Sequence, residues 1–564
     1  GSFNTFKNTV KFSTGLLNER FELSGRVATI ASDGYIDRAS SDLKSYFFQG
    51  LYKDQNTLIK ALTFGGSEIT YQSWYGIDSG TLATNRTYNK AGEMYNSTGV
   101  LTGHYDNQVD NYKQDHFQFH WTQQYNSFWS STIGLNYTYG RGYYEEYNDL
   151  WATQNIAFGD EVNFDYLQIT PLVSGGITID TTENISRKWL DNNFYVGTFS
   201  LNYDSNQTNA VFGGSYSSYN GDHFGNLIWA QYASNAAPNH RFYESNADKK
   251  DFNLYSKVTQ RLGTAWTVYA DVQYRTVAYN SRGTVKGPEP IAIDDTLSFF
   301  NPKAGITYRA SEASRLYLSY AKAQREPNRS DYENGTPKSE SLNDFEAGWR
   351  FKEEKVQLQA NLYYMDYENQ LVLTGALDAV GEPIRTNSGA SYRFGLEIEA
   401  AIQFAEQWVW QPNLAVSSNK NKDFYFKRDG LLQNLGTTNI SYSPSIVGAS
   451  NLVYAPSTVF RIALLSKYVG EQYMGNIDAD LSKLEAYLTN DINISYVWTP
   501  NSWIKEAQFS LLVNNIFNEL YTSNGFFYTF DDDYSVAGVV TTIEGVGYYP
   551  QAGTNFLLGA TFRF

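Results

Sequence analysis

The chain of 564 residues contains no cysteine, 5 histidines and only 18% charged residues. Without cysteine, a disulfide scaffold and a thiolate zinc site are both excluded. No segment reaches the ~18 consecutive apolar residues of a transmembrane helix, which excludes a helical membrane protein. Acidic residues outnumber basic ones by 59 to 43, giving a net charge of −16 that argues against nucleic-acid binding. No secretory signal peptide is recognisable at the N-terminus.

Aromatic residues, in contrast, are abundant. They make up 16% of the chain, with 46 tyrosines and 35 phenylalanines, and this excludes a fully disordered protein. An aromatic-rich chain that is polar on average fits an outer-membrane β-barrel, which has an apolar outside, a polar inside and aromatic girdles at both interfaces.

Alternation of apolar and polar residues supports the barrel. In the segment 266–275, Trp266, Val272 and Tyr274 fall on one face of a strand, and Asp271 and Arg275 fall on the other. Strands that cross lipid must close into a barrel, because lipid cannot satisfy an open sheet edge. The same alternation recurs in the segments 117–121, 356–362, 394–404 and 492–498.

Counting such segments predicts about 21 strands. Short turns alternate with long loops, expected near 75–109, 146–186, 221–250, 327–340, 425–443 and 526–551. This matches periplasmic turns and extracellular loops. The predicted strands are 4–14, 19–31, 42–53, 57–74, 110–124, 129–145, 187–204, 208–220, 250–262, 265–280, 295–309, 314–326, 341–352, 355–373, 389–405, 407–424, 444–455, 458–474, 483–498, 506–525 and 552–564.

The parity of this count predicts a missing strand. Bacterial single-chain barrels normally have even strand numbers. The first connection, near Leu16–Asn18, is of the short periplasmic kind, so the first strand runs from the outside inward. We therefore expect residues 1–564 to be one transmembrane antiparallel β-barrel domain of the 22-strand type, with about 21 strands in this chain and an upward strand before them.

The C-terminal strand ends on phenylalanine. Phe556, Leu558, Phe562 and the terminal Phe564 share one face, in a pattern that resembles the membrane-insertion signal of outer-membrane barrels. A soluble edge strand that ends on phenylalanine is the alternative interpretation.

Four segments resemble the TonB-dependent outer-membrane receptors. Leu316–Pro327 resembles the family strand that ends in an Arg-x-Pro turn, and Pro337–Gly348 resembles the loop and strand that follow it. Leu512–Asn518 resembles the penultimate strand, and Tyr548–Gly559 resembles the last loop and strand. The opening Gly1–Phe6 looks like the family's second strand, just after its first hairpin, or else begins with a cloning scar.

The resemblance implies a 22-stranded barrel closed by an N-terminal plug, with the plug and first strand outside this chain. It implies uptake of a scarce nutrient across the outer membrane of a Gram-negative bacterium, most simply a ferric-siderophore-type iron chelate. It implies no enzymatic activity and no cofactor. The implied partners are outer-membrane lipid, the TonB energy-coupling complex acting through the plug, the barrel-assembly machinery, the chelate ligand and outer-membrane lipoproteins or other complex subunits.

Candidate ligand-binding residues lie where strands enter long loops. Tyrosine and tryptophan give rigid contact area, and arginine gives a fixed positive charge suited to an anionic ferric chelate. An aromatic girdle, a strand rim or the fixing of a turn explains the same residues structurally. The candidates are Arg141, Tyr143, Tyr144, Tyr147, Trp74, Tyr75 and Arg325.

No metal site is predicted. His116 and His120 are ~13 Å apart along a strand, too far for one ion, and Asp531–Asp533 fit a solvated loop better than a calcium site. Cobalamin or haem uptake is an alternative function, although no histidine follows Pro327 before Gly348, where haem receptors of the family carry one. A scaffold or accessory subunit of an outer-membrane complex and a plugless porin are further alternatives.

Overall fold

The computed structural model of the chain describes residues 1–155, 159–377, 383–500 and 503–564. Within these residues, one antiparallel sheet contains 22 strands, of which Thr438–Asn439 is a two-residue piece and the other 21 are long. The long strands pair in chain order, so the predicted all-β fold with about 21 strands is confirmed. They are β1 (Phe6–Ser13), β2 (Phe21–Ser32), β3 (Ser41–Lys53), β4 (Thr57–Tyr71), β5 (Val109–Gln124), β6 (Trp129–Asn148), β7 (Asn184–Asp204), β8 (Thr208–Ala230), β9 (His240–Leu262), β10 (Trp266–Val285), β11 (Glu289–Arg309), β12 (Ser314–Arg325), β13 (Glu340–Lys352), β14 (Val356–Glu368), β15 (Ala390–Ala405), β16 (Trp408–Asn421), β17 (Ile446–Tyr454), β18 (Phe460–Val469), β19 (Tyr487–Trp498), β20 (Glu506–Asn514) and β21 (Asn555–Arg563).

Side chains alternate between the two faces of this wall, as β10 illustrates. Val272 and Tyr274 are 43% and 47% exposed on the outward face, whereas Arg275 faces the lumen and binds Asp251 and Glu326 on neighbouring elements. The apolar outward side chains are thus exposed on the protein itself, where membrane lipid would cover them. The polar inward side chains pair with one another along the lumen wall. Phe556, Leu558, Phe562 and Phe564 also lie on the outward face, and all four are exposed.

The connections divide into a short-turn end and a long-loop end. The short-turn end includes the turns at Asp54–Asn56 and Ser205–Gln207. At the long-loop end, small two-stranded sheets decorate the loops. They are formed by Glu93–Tyr95 with Leu101–His104, Leu172–Ser174 with Ile177–Ile179, Leu371–Leu377 with Pro383–Asn387, Tyr425–Arg428 with Leu431–Asn434, Gln472–Tyr473 with Lys483–Leu484, and Thr522–Asp532 with Thr541–Pro550.

The helices are α1 (Ser79–Thr84), α2 (Leu150–Asn155), α3 (Arg329–Glu333) and the 3₁₀ turn Asp480–Ser482. In the described part of the chain, no helix is long and apolar enough to span a membrane.

Strand ends differ from the prediction in two ways. The predicted loop 221–250 is largely strand, since β8 and β9 extend to Ala230 and from His240, and β10 and β11 are likewise longer than expected. Beyond the membrane both faces of these strands carry polar residues, so alternation gives no signal there. The predicted loop 526–551 is mostly a hairpin as well.

Four predicted strands, conversely, end early. The strands predicted to end at 373, 424, 474 and 525 end at Glu368, Asn421, Val469 and Asn514. Asn369 and Asn515 follow two of these ends with φ of 53° and 50°. Asparagine adopts this left-handed conformation more readily than most residues, and it breaks the strand there.

The two ends of the sheet meet at a seam, the gap between β1 and β21. In an alternating sheet the first and twenty-first strands run in the same direction, and the described residues contain no ladder between them. Phe3 and Asn4 have φ of 57° and 50°, and the Thr5 N–H donates to the Ser2 carbonyl at 3.1 Å, which makes a two-residue hairpin turn. The Ser2 N–H donates to the Phe556 carbonyl of β21 at 2.9 Å. Gly1 and Ser2 therefore run beside β21 in the opposite direction to it.

A loop after β4 bridges the seam at the long-loop end. This bridging loop, residues 72–92, reaches the hairpin that precedes β21. Ile77 and Tyr548 exchange two backbone hydrogen bonds of 3.0 and 2.8 Å. The Arg86 guanidinium donates to the Tyr521 carbonyl at 2.8 Å, and the Tyr549 hydroxyl donates to the Trp74 carbonyl. The bridging loop therefore ties the two sides of the wall together where the strands do not pair.

Removing the side-chain part of this bridge should destabilise the barrel. The double variant Arg86→Ala/Tyr549→Phe loses one charged and one neutral hydrogen bond, and we expect the free energy of unfolding to fall by about 2–4 kcal/mol. Urea unfolding in lipid vesicles measures the change. Arg282→Ala/Tyr425→Phe is the matched control, because both side chains are exposed. Equal stability of the two double variants would contradict a role for the bridge.

Candidate functional site

The predicted site residues on β6 lie on opposite faces of that strand. Leu135 is outward and 53% exposed, so the odd positions that follow it also point outward and the even ones point inward. The register confirms this division, because Tyr143 lies opposite Trp189 and Tyr144 lies opposite Lys188. The structure thus separates Arg141, Tyr143 and Tyr147 from Tyr144.

The outward residues form an outer ladder of Arg141, Tyr143, Arg187, Trp189 and Asp191. Arg141 Nε lies 3.3 Å from Asp191 Oδ2, and its guanidinium is 5.0 Å from the centre of the Trp189 ring. The Arg187 guanidinium lies 4.3 Å from the centre of the Tyr143 ring, which packs on Trp189 at 4.6 Å. These charges on the outward face mark where the wall leaves the apolar band.

Tyr147 continues the outward face above the outer ladder. Its hydroxyl donates to Glu183 Oε2 at 3.1 Å, and its backbone N–H donates to Gln108 Oε1 at 2.8 Å. The partners of Tyr147 therefore come from loops that cover the outside of β6.

The inward residues Tyr144, Glu146 and Lys188 form an inner cluster, whose charges act on Tyr75 and Tyr166 of two nearby loops. Lys188 Nζ lies 3.1 Å from Glu146 Oε2, and the two side chains are only 5% and 6% exposed. The Lys188 ammonium also lies 5.7 Å from the centre of the Tyr144 ring. A buried ion pair in contact with tyrosine rings is a rigid, polar patch on the inner wall at the mouth of the barrel.

Tyr75 and Tyr166 come from two loops beside the inner cluster. Burial raises the pKa of Tyr166 to about 12, and the positive charge of Lys188 partly offsets this rise. Burial also raises the pKa of Tyr75, which the negative charge of Glu146 raises further. The loop that carries Tyr166 is held in place by an apolar cluster of Phe164, Leu167, Ile169, Leu227 and Phe242.

Trp74 and Tyr75 stack on each other in the bridging loop. Their ring centres are 4.2 Å apart with an interplanar angle of 20°, and the Lys90 ammonium lies 5.1 Å from the Tyr75 ring centre. Burial lowers the pKa of Lys90. Trp74 donates from Nε1 to Gln72 Oε1 at 3.3 Å. The stacked pair therefore lies near the ion pair of Glu146 and Lys188, although about 70 residues separate it from Tyr144 in the chain, and Tyr75 also packs against Tyr71, Ala91 and Val109.

Arg325 lies elsewhere. It is the last residue of β12, and its side chain faces inward. Its guanidinium binds Glu340 Oε2 at 3.0 Å, and the same oxygen accepts the Leu371 N–H at 2.8 Å. Arg325 remains 48% exposed and holds the start of β13 against the next loop.

The residue next to Arg325 belongs to a charge network that sequence reasoning missed. Glu326 accepts from Arg275 at 2.7 Å and from Lys249 at 2.8 Å, and Arg275 also binds Asp251 at 2.6 Å. The segment after β12 consequently folds into the mouth. There the carboxylate of Asp331 in α3 forms an ion pair of 2.9 Å with the Arg385 guanidinium. Only the inward position of Arg275 was visible in the alternation pattern, since its partner Glu326 is 51 residues away.

His116 and Asp531, considered above as metal ligands, have protein partners. His116 Nδ1 lies 2.8 Å from Thr138 Oγ1, and its ring stacks on Phe64. Asp531 binds Lys427 at 3.1 Å and accepts from Thr542. Among the residues that the structure describes, no group of three or more potential ligands is placed to hold a metal ion.

Comparison with known proteins identifies relatives of this barrel. A family model described as "TonB dependent receptor-like, beta-barrel" matches residues 17–516. The catecholate siderophore receptor Fiu of Escherichia coli K12 is 22% identical over 298 residues, which are 50% of this chain and 35% of Fiu. The match thus spans about a third of the length of that curated relative.

Solved structures share the fold at low identity. The closed form of Fiu from E. coli K12 aligns with 100% of this chain and 80% of its own, with a TM-score of 0.71 and 14% identity. The siderophore receptor PiuA of Acinetobacter baumannii aligns over 99% and 80% of the chains (TM-score 0.70, 12% identity). The copper transporter OprC aligns over 100% and 78% (TM-score 0.69, 14% identity). These likenesses show the fold, and the named cargoes differ between proteins that share it.

Breaking the buried ion pair should be costly. Lys188→Met leaves Glu146 buried without its partner, and we expect the free energy of unfolding to fall by about 3–5 kcal/mol. Lys188→Met/Glu146→Gln should recover most of this loss, because no uncompensated charge remains. Urea unfolding of the folded receptor in vesicles measures both variants.

The control for this experiment is Lys113→Met. Lys113 pairs with Asp115 at 3.2 Å but is 65% exposed, so the change should cost less than about 1 kcal/mol. If Lys188→Met lowered the free energy of unfolding no more than the control does, the pair of Lys188 and Glu146 would behave as a solvent-exposed ion pair.

Proposed function

The chain belongs to the TonB-dependent receptor family of β-barrel proteins, and from this premise we propose that it is the barrel of a transporter that imports a ferric-siderophore-type iron chelate. The family consists of outer-membrane transporters of Gram-negative bacteria rather than enzymes, so the long-loop end of the wall is extracellular and the short-turn end is periplasmic. The proposal concerns the cargo, the partners and the residues that bind the cargo.

The half-buried aromatic residues near the extracellular end of β6 are the observation that carries the proposal. Trp74, Tyr75 and Tyr144 are half-buried, which fixes their rings and leaves part of each surface accessible. Rigid aromatic side chains with a polar atom bind a large chelate at little cost in conformational entropy. The inner ion pair of Lys188 and Glu146 fixes the wall behind them. We therefore assign ligand contact first to these three aromatic residues.

The other predicted site residues have a different place in this proposal. Arg141 and Tyr143 lie on the outward face and Tyr147 is held by Glu183, so a ligand in the mouth would meet them only if the covering loops moved. Arg325 faces inward and is half-exposed, and it remains a candidate cation for an anionic chelate.

The choice of iron chelate rests on the relatives. Fiu and PiuA are named as siderophore receptors, whereas OprC is named as a copper transporter. Fiu, a relative detected by sequence, is named a catecholate siderophore receptor, which favours an iron chelate over cobalamin, haem or a role as a scaffold.

We also propose that one further strand and a plug complete the molecule. Because β1 and β21 run in the same direction, a single strand between them would be antiparallel to both. Gly1 and Ser2 already run in that direction beside Phe556. A plug in the lumen would carry the coupling to TonB, and the barrel-assembly machinery would recognise β21 with its outward Phe562 and Phe564.

Ligand binding by the full-length receptor tests the cargo. We expect quenching of tryptophan fluorescence by a ferric tris-catecholate, a ferric hydroxamate or ferric citrate. Tyr144→Ala should raise the Kd about 30-fold, as removal of a central aromatic contact does. Tyr143→Ala is the matched control and should change the Kd less than about twofold, because its ring lies on the outer ladder.

Two outcomes would contradict this proposal. Binding of cobalamin or haem, but of no ferric chelate, would identify one of the alternative cargoes. Binding of none of these compounds would favour a scaffold or accessory subunit.

Conductance tests the plug. A 22-stranded barrel without a plug is wide enough to conduct ions. We expect the full-length receptor to be silent in planar bilayers and a variant lacking its plug to open stable channels. Steady conductance by the full-length protein would support the porin alternative instead.

A further inference from the structure

The lumen-facing side of β5 to β8 carries no Asp, Glu, Lys or Arg below the inner cluster. The exposed side chains of Phe117, Leu135, Tyr195 and Tyr216 show which positions of these four strands point outward, so the positions between them point inward. We call this uncharged surface the neutral arc. It consists of the inward positions within residues 112–124, 130–142, 190–202 and 209–219.

Charged inward residues border the neutral arc on both sides. Lys60 of β4 lies opposite His120 on one side, and Asp251 and Lys257 of β9 lie opposite β8 on the other. The neutral arc is therefore four strands wide, about 19 Å at the usual spacing between strands. The inward positions of β16 and β17 are also uncharged, but that surface is only two strands wide.

The polar side chains of the neutral arc hydrogen-bond to one another. His116 Nδ1 lies 2.8 Å from Thr138 Oγ1, and Gln118 Nε2 donates to Asn136 Oδ1 at 3.1 Å. Gln118 Oε1 lies 3.2 Å from His120 Nε2. Because these groups find partners within the wall and carry no charge, a plug gains less by binding them than by binding an inward charge elsewhere.

Two grooves follow the neutral arc from the mouth toward the periplasm. The upper groove has a volume of about 550 Å³ and is lined in part by Gln118, Asn136 and Asn192. The lower groove, of about 310 Å³, is lined in part by His120 and Thr132, which lie nearer the periplasmic turns. The upper groove begins below the inner cluster on the same strands, β6 and β7. The recessed part of the wall and its uncharged part thus coincide.

We infer that the neutral arc is the side of the lumen along which the cargo passes when the plug is displaced. This inference rests on the proposed function, because it requires a transporter with a plug. A passing ion needs sites that replace part of its hydration yet release it again. Amide and hydroxyl groups do this for an anionic chelate, whereas a fixed positive charge retains it and a negative charge repels it. A plug also separates most easily from a wall with which it forms no ion pairs.

Uptake by cells that carry the full-length receptor tests the role of the neutral arc. Asn136→Asp adds a negative charge to the arc with almost no change in volume. Asn136 stands eight residues below Tyr144 on β6, about 26 Å at the rise of a strand, so the Kd for ferric tris-catecholate should not change. Repulsion of this trianion should lower the rate of energised uptake about tenfold.

Asn451→Asp is the matched control. Asn451 is an inward asparagine on β17, on another side of the barrel, and it donates to the neutral Gln411 at 2.8 Å. This variant should retain the uptake rate of the wild type, and the folded band on unheated gels verifies that both variants are intact. An unchanged uptake rate for Asn136→Asp, or an equal loss in both variants, would overturn the inference.

Cysteine labelling separates a failure of this inference from a failure of the proposed function. The 564 residues contain no cysteine, so Asn136→Cys and Asn451→Cys each introduce a single one. With a polar maleimide outside the cells, we expect energisation of the inner membrane to accelerate labelling of Asn136→Cys alone. Such acceleration without import of ferric tris-catecholate would contradict the proposed cargo and support the neutral arc. Import of the chelate without this acceleration would overturn the inference and leave the proposed function standing.

Discussion

The absence of hydrogen-bond partners in lipid is the constraint on which this molecule depends. Every backbone N–H and C=O in the membrane band must be paired within the wall, because an unpaired group there costs several kcal/mol. The 21 strands meet this requirement with their neighbours, except along the edges of β1 and β21 that face the seam. In the described residues the seam is joined directly only where Ser2 meets Phe556. The contacts that the bridging loop makes with Tyr521, Tyr548 and Tyr549 lie beyond the membrane, where they can hold the two sides together without crossing lipid.

The same constraint explains why so much of the fold could be predicted from the sequence. Inside the membrane, lipid on one side and water on the other impose strict alternation, as between Val272 and Arg275, and all 21 strands were recognisable from it. Beyond the membrane both faces are wet, so the upper parts of β8 to β11 left no periodic signal. The end of β20 at Asn514 depends on a backbone conformation of Asn515, which alternation cannot reveal.

The candidate site was less predictable, because pairing at the mouth joins distant parts of the chain. Tyr143 and Tyr144 are adjacent in the sequence and equally aromatic, yet one packs on Trp189 outside and the other contacts Lys188 inside. Odd and even positions of the strand distinguish them only once an exposed residue such as Leu135 shows which set points outward. The approach of Tyr75 to Glu146 has no counterpart in local sequence, since it depends on how the bridging loop folds over the mouth.

The bridging loop combines two roles that would otherwise be independent. It carries the stacked pair Trp74 and Tyr75, and within a few residues of them it binds Tyr548 through Ile77. The Trp74 carbonyl itself accepts the hydroxyl of Tyr549. We therefore expect a displacement of the aromatic pair to strain the contacts across the seam. The position of the proposed binding surface and the integrity of the wall at its weakest line are held by the same few hydrogen bonds.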